Sequence, residues 1–450
     1  MKRIIDYYLQ QWKNSPLRQP LLLRGARQVG KTYAVRALGQ SFEKVIEINF
    51  DFNKKAKTLF NQDLDPHRIL REVFVLTGQQ VLPGKTLLFF DEIQAVPEGI
   101  SALRYFYELM PELHIIAAGS LLDFAIEQVG IPVGRVQFLY MYPLSFIEFL
   151  AATNHHALID EILTHKPTKP ISEIVHTTVF GVLGNYLAIG GMPRAVACWK
   201  DMQNLQECAT IPQTLIEAYQ FDFTKYGKSH QIKYLDTLFT NLPQQLGKKF
   251  KYSEIGAFRK RDIEPCVELL VTAGVINRVM HADAQGLPLG AQADPQTFKL
   301  LLIDIALSQY MLDLSTGDWL LDPLKEVANK GLLVEAFVGQ ELIAYQYPVK
   351  KAQLYYWKRD KRGSEAEVDY VIQQEKAVIP IEVKSGTGNT LRRMQHFLAS
   401  HPASPYGIYC SINNYSVHEN IHAYPLYALA KLATDNNHDV KKSILSLIRS

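Results

Sequence analysis

Cysteine is scarce. Cys198, Cys208, Cys266 and Cys410 are the whole supply in 450 residues, and no two are spaced as C-x-x-C. That argues against a disulfide framework and a thiolate zinc site and points to free thiols in a reducing compartment. Long hydrophobic runs are missing too. The most apolar stretch, LYMYPLSFIEFLAA, is too short to span a bilayer and contains Pro143 and Glu148. The opening MKRIIDYYLQQWKNSPLRQP has charged ends and no apolar centre, so it does not read as a signal peptide. A cytoplasmic protein with no membrane partner is expected. An excess of one charge is absent as well: 48 basic residues face 45 acidic ones, a net charge of +3. Such a balance neither demands nor excludes a nucleic-acid partner, so local clusters must decide. There is no internal repeat and no low-complexity tract.

What is there is an ordinary globular composition, 47% apolar and 21% charged, in a chain too long for one core. The first third alternates short apolar runs with helix-length segments. LLLRG (Leu21–Gly25), KVIEINF (Lys44–Phe50), TLLFFDE (Thr86–Glu92) and LHIIAAGS (Leu113–Ser120) suit strands of a parallel sheet buried on both faces. The expected fold class is therefore α/β. Past residue 155 the pattern turns helical, with breaks at Gly190-Gly191 and Pro193. Three short helices are expected over 234–278. From about Leu332 a helix is followed by strands LYYW, EVDYVIQ and VIPIEVKS.

The most specific motif is Gly25-Ala26-Arg27-Gln28-Val29-Gly30-Lys31-Thr32, a G-x-x-x-x-G-K-[ST] loop between a strand and a helix. In that setting successive N–H groups and the helix N-terminus face an anion. Lys31 would reach the β- and γ-phosphates and Thr32 would ligate Mg²⁺. Asp91-Glu92 ends a buried strand, where a metal-holding carboxylate and a water-polarising base belong. Ser120 reads equally as a γ-phosphate sensor and as a cap of the helix after it. Arg135 reads as an arginine finger, in cis or in trans, or as an ordinary surface arginine. No N/T-K-x-D motif of the GTPase kind is present in the expected region, which favours ATP.

GARQVGKT, FFDEIQ, GSLLDF, GRVQFLYMYPLSFIEFL and GGMPRAV together resemble the AAA-type P-loop ATPases that carry a C-terminal domain of unknown function. The resemblance runs from about residue 18 to 410. It implies a P-loop NTPase parallel-sheet core, a helical region, a winged-helix-like segment and a restriction-endonuclease-like fold. On it, Gly25, Gly30, Lys31 and Thr32 match the phosphate loop, and Asp91 and Glu92 match the metal and base pair. Ser120 stands at a sensor position and Arg135 matches a recurrent arginine. The expected division is 1–155 ATPase core, 156–233 helical lid-like region, 234–330 winged-helix-like segment, 331–415 nuclease-like domain and 416–450 tail.

GKKFKYSEIGAFRKRD (Gly247–Asp262) carries six basic residues against Glu254 and Asp262, with Phe250 and Tyr252 interleaved. Such a cluster suits a DNA backbone, and equally a solvated face. Near the end, Asp369 is followed after twelve residues by Glu382-Val383-Lys384, the D…E-x-K pattern of restriction-type nucleases. Two carboxylates would hold Mg²⁺ and Lys384 would orient water. Period two puts Glu382 and Lys384 on one strand face. Val368 stands where the pattern has proline. The family resemblance adds Glu335, in a G-x-x-x-E with Gly331, as a third ligand. YYWKRDKR would then face phosphates. The expected function is an ATP-binding, ATP-hydrolysing protein coupled to a nucleic-acid-interacting C-terminal domain. The alternative is a nucleotide switch that binds a protein partner and keeps an inactive nuclease-like domain. A homo-oligomer fits either.

Overall fold

The computed structural model describes residues 1–361, 364–384 and 391–448. Five strands form a parallel sheet: β1 (Leu21–Arg24), β2 (Lys44–Asn49), β3 (Thr86–Asp91), β4 (His114–Ala118) and β5 (Gln137–Tyr140). The order is β2-β3-β4-β1-β5. The four apolar runs fall on β1 to β4, and β3 and β4 are buried along their whole length. Parallel strands must cross over, so helices cover both faces and the strands need apolar side chains on both sides. β5 completes the sheet beyond β1.

Helices then follow without strands. Glu173–Ile189 ends at Gly190, Pro193–Met202 begins one turn later, and Leu205–Tyr226 is the longest. The break at Gly190 is built in. Its φ is +78°, and a Cβ there would stand 2.1 Å from Asp304 Oδ1. That carboxylate accepts the N–H groups of Gly191 (2.7 Å) and Ala306 (2.9 Å). Gly190→Ala therefore combines backbone strain with a clash against a buried acceptor. It should cost on the order of 3 kcal/mol, read as a lower denaturant midpoint.

The remaining strands share one mixed sheet. They are β6 (Ile276–Ala282), β7 (Ala293–Leu302), β8 (Leu354–Lys361), β9 (Ser364–Gln374), β10 (Ala377–Val383), β11 (Gly407–Ser411), β12 (Ser416–His418) and β13 (Ile421–Pro425). The order is β12-β13-β11-β10-β9-β8-β6-β7. β9 and β10 form an antiparallel hairpin. The middle segment supplies β6 and β7, and β6 pairs in parallel with β8. The helix Gly331–Ala344 is buried almost all round, which accounts for its near-continuous apolar sequence. The tail contributes β12, β13 and two helices, and Val440, Ile444 and Leu447 join the main core.

The opening helix Ile4–Asn14 is tied to the helix Phe146–Ala152 by Glu148. One oxygen of Glu148 accepts from Arg3 Nε (2.7 Å) and Ile4 N (2.8 Å), and the other from Ser145 N (2.9 Å). Ser145 and Glu148 form a capping box for the helix Phe146–Ala152.

Candidate functional site

The loop Gly25–Thr32 joins β1 to the helix Lys31–Gly39. Its turn needs unusual dihedrals: φ is +146° at Gly25 and +99° at Gly30, and Gln28 is also left-handed at +65°. At Gly25 a Cβ would meet the Met141 carbonyl at 2.3 Å, so this position takes only glycine. Lys31 is buried, with Nζ 2.8 Å from the carbonyls of Gly25 and Ala26. Burial pushes it down to about 8, against the pull of Glu92 and Asp91.

Thr32 Oγ1 lies 3.2 Å from both oxygens of Asp91, and Asn49 Nδ2 donates to Asp91 Oδ2 at 3.0 Å. Burial, then the neighbouring Glu92, raises Asp91 above the usual carboxylate range. A hydroxyl meeting a carboxylate at a helix N-terminus is a donor set that suits Mg²⁺. Glu92 follows β3 in a left-handed conformation (φ +54°) and accepts from Gln94 Nε2. The structure thus brings Lys31, Thr32, Asp91 and Glu92 to the carboxyl end of the parallel sheet. Ser120, after β4 in the gap between β1 and β3, lines a small cavity with Gly25, Ala26, Arg24 and Lys351. It does not cap the next helix. Arg135 precedes β5, so it stands at the opposite end of the sheet from this chain's loop. It is exposed and pairs with Glu108 at 3.2 Å.

Several neighbours of the loop carried no legible pattern. Arg3 donates to the Val29 carbonyl (3.1 Å) and the Tyr142 carbonyl (2.8 Å). Arg27 makes two bonds to buried Asp222, at 2.5 and 2.7 Å, and Tyr219 donates to the Arg27 carbonyl at 3.1 Å. Both partners sit on the helix Leu205–Tyr226, almost two hundred residues along. Gly274, just before β6, packs on Ala26: a Cβ there would stand 3.4 Å from that of Ala26. A cleft of about 340 Å³ beside Gly30 and Tyr33 is lined by Arg3, Pro193, Arg194, Lys200 and Asp201. Three cations against one acid suit an anionic ligand there.

The C-terminal carboxylates are arranged differently. Glu335 Oε1 lies 2.9 Å from Lys299 Nζ, and Glu367 Oε1 lies 2.7 Å from the same nitrogen. Asp369 accepts the Val383 N–H at 2.8 Å. Glu382 is buried, and its Oε2 has no hydrogen-bond partner among the described residues. Burial, then Asp369, pushes it up to about 8. Lys384 is half-buried 6.0 Å from the Tyr409 ring centre, and burial lowers it. Among the described residues, no three His, Cys, Asp or Glu side chains are grouped to hold a metal ion. In YYWKRDKR, Tyr355, Tyr356 and Trp357 are buried, and Arg362 lies outside the described residues. In the middle segment Phe250 is buried and stacked on Phe298, with centroids 5.6 Å apart. Lys251, Lys260 and Arg261 have acidic partners in Glu254, Glu264 and Asp262. Among the described residues, no helix is long and apolar enough to cross a membrane.

A glycine loop between strand and helix, with a Thr–Asp pair beside its lysine, defines a P-loop nucleotide-binding protein. Residues 17–150 match a family described as an AAA domain. Residues 182–318 and 330–429 match two domains of unknown function (DUF8612 and DUF4143). The chain is thus similar to AAA domains over its first third, and to domains of unknown function over most of the remainder. No curated protein matches it. Solved structures similar to it include a Walker-type ATPase of Pyrococcus abyssi, at 14% identity over 69% of this chain and 94% of that one, TM-score 0.43. The ORC1 protein of Aeropyrum pernix in complex with DNA matches at 12% identity over 69% and 90%, TM-score 0.28. Both superpositions are loose, and the fold rests on the strand order and the loop.

Proposed function

We propose that this chain binds ATP with Mg²⁺, hydrolyses it, and passes the nucleotide state to its middle and C-terminal segments. The observation that carries this reading is the double grip on the phosphate loop. Ala26 meets Gly274, and Arg27 meets Tyr219 and Asp222. A triphosphate seated on the loop would shift Arg27 and Lys31, and both grips would feel it. Thr32 and Asp91 would hold the magnesium, which when bound neutralises charge on the phosphates. The cleft by Gly30, Tyr33 and Arg194 would take the nucleoside. Glu92 would accept a proton from water.

Glu92→Gln should then keep nucleotide affinity and lose about 10²- to 10⁴-fold in turnover, the usual range for a general base. Equal turnover by the variant and the parent would remove Glu92 from the mechanism. Transmission is tested by hydrogen exchange. ATP should change protection in the Leu205–Tyr226 helix, and an unchanged helix would sink the coupling.

The division proposed from the sequence belongs to the same reading: a core to 155, a lid-like region to 233, a winged-helix-like segment to 330, a nuclease-like domain to 415 and a tail. Pairing of β6 with β8 supports joint movement of the winged-helix-like and nuclease-like parts. Exposed Lys248, Lys249 and Arg259 would offer a DNA backbone its cations. DNA-stimulated turnover that falls steeply with salt is the expected sign. The second reading, a switch for a protein partner, is favoured by the lysine held among the C-terminal carboxylates. Arg135, exposed and far from its own loop, would serve as a finger only in trans, in a homo-oligomer. Four free cysteines suit a cytoplasmic setting.

A further inference from the structure

The Asp369…Glu382-x-Lys384 pattern calls for a divalent metal, and the residues do not fit one. The obstacle is Lys299 of β7. Its side chain is 2% exposed, and its ammonium is shared between Glu335 at 2.9 Å and Glu367 at 2.7 Å. The Tyr356 ring lies 5.0 Å below it. Burial opposes the charge, yet the carboxylates of Glu335, Asp369 and Glu367 hold Lys299 above an ordinary lysine. Gly247 packs beside the other oxygen of Glu335: a Cβ added there would stand 2.8 Å from Oε2. Glu367 has a second, weaker cation in Lys358 at 3.8 Å.

A lysine this deep is stable only as a partner of buried negative charge. Mg²⁺ requires oxygens at about 2.0–2.1 Å in octahedral array, several of them water. Beside Glu335 and Glu367 it would also stand a few ångströms from the Lys299 ammonium, and like charges that close in a buried place repel strongly. We propose that Lys299 is the resident cation of the C-terminal carboxylate cluster, and that removing its charge converts the cluster into a divalent-cation site. Because β7 comes from the middle segment and Glu335 and Glu367 from the C-terminal one, the same ammonium also locks these parts together. This inference does not depend on ATP hydrolysis.

The probe is Mn²⁺ alone, followed by the spectroscopic signal of the free ion, on the full chain. Asp91→Asn is the background, so that the phosphate-loop site contributes nothing. With Lys299 present, no Mn²⁺ should be taken up at millimolar concentration. Lys299→Met should take up one ion per chain and gain melting temperature with Mn²⁺, and adding Glu335→Gln should abolish both. Uptake with Lys299 intact that is lost on Asp369→Asn overturns the proposal. So does a folded Lys299→Met chain that ignores Mn²⁺. If Lys299→Met folds only with Mn²⁺ the proposal stands, and if it folds under neither condition the Lys299-intact arm decides alone.

Discussion

Lys31→Ala should reduce ATP turnover by about 100- to 1000-fold, the cost of removing one preorganised charge from a transition state. The side chain cannot be replaced locally. It leaves the first turn of the helix Lys31–Gly39 and reaches back over the loop, with Nζ on the Gly25 and Ala26 carbonyls. Those contacts keep an ammonium in a buried place where burial alone disfavours it, and phosphate oxygens would take over from the carbonyls. Arg27 is the alternative cation on the loop, and its Nη1 is already held by both oxygens of Asp222. The variant should still fold. Gly25 is fitted against Met141, and Arg3 holds the Val29 carbonyl, independently of Lys31. Steady-state turnover with a parallel thermal melt separates the two effects. Parental turnover in Lys31→Ala would mean that the loop binds no reacting phosphate.

Arg3→Met should destabilise the chain by about 3–5 kcal/mol, the range for leaving one member of a buried ion pair alone. Both side chains are nearly inaccessible, at 6% for Arg3 and 4% for Glu148. Glu148 would keep Ile4 N and Ser145 N as donors, but no charge would balance it. The Val29 and Tyr142 carbonyls would lose their donor too, so nucleotide affinity should fall with stability. Arg3→Met with Glu148→Gln should lose less than the sum of the two single changes, because the second removes the stranded charge. Denaturant titration of the four proteins measures that coupling. Strict additivity would show that the pair contributes nothing as a pair.

The sequence and the structure agree most closely where the signal is local. LLLR, KVIEIN, TLLFFD and HIIAA are strands because unbroken apolar runs between helical segments have one good solution, a parallel sheet covered on both faces. The Gly25–Thr32 loop is legible because its dihedrals need glycine at fixed positions. Asp91 is legible because it ends a strand. The helix break at Gly190-Gly191 and Pro193 was visible for the same reason. Less was visible at β7, β11, β12 and β13, whose patterns are short or mixed, and in the tail, whose apolar residues bury against the opening helix and the main core.

By itself, then, the sequence determined the α/β core, the phosphate loop, and the acidic pair at the end of β3. Each is encoded by residues a few positions apart, through backbone conformation and burial period. Only the tertiary structure decided who touches that loop and what neutralises the C-terminal carboxylates. Arg3 with Glu148, Arg27 with Asp222 and Lys299 with Glu335 are separated by 145, 195 and 36 residues. A lone lysine in a strand or aspartate in a helix looks like a solvated residue until folding buries it. Burial is what makes an opposite charge obligatory, and the packing of distant elements chooses which one.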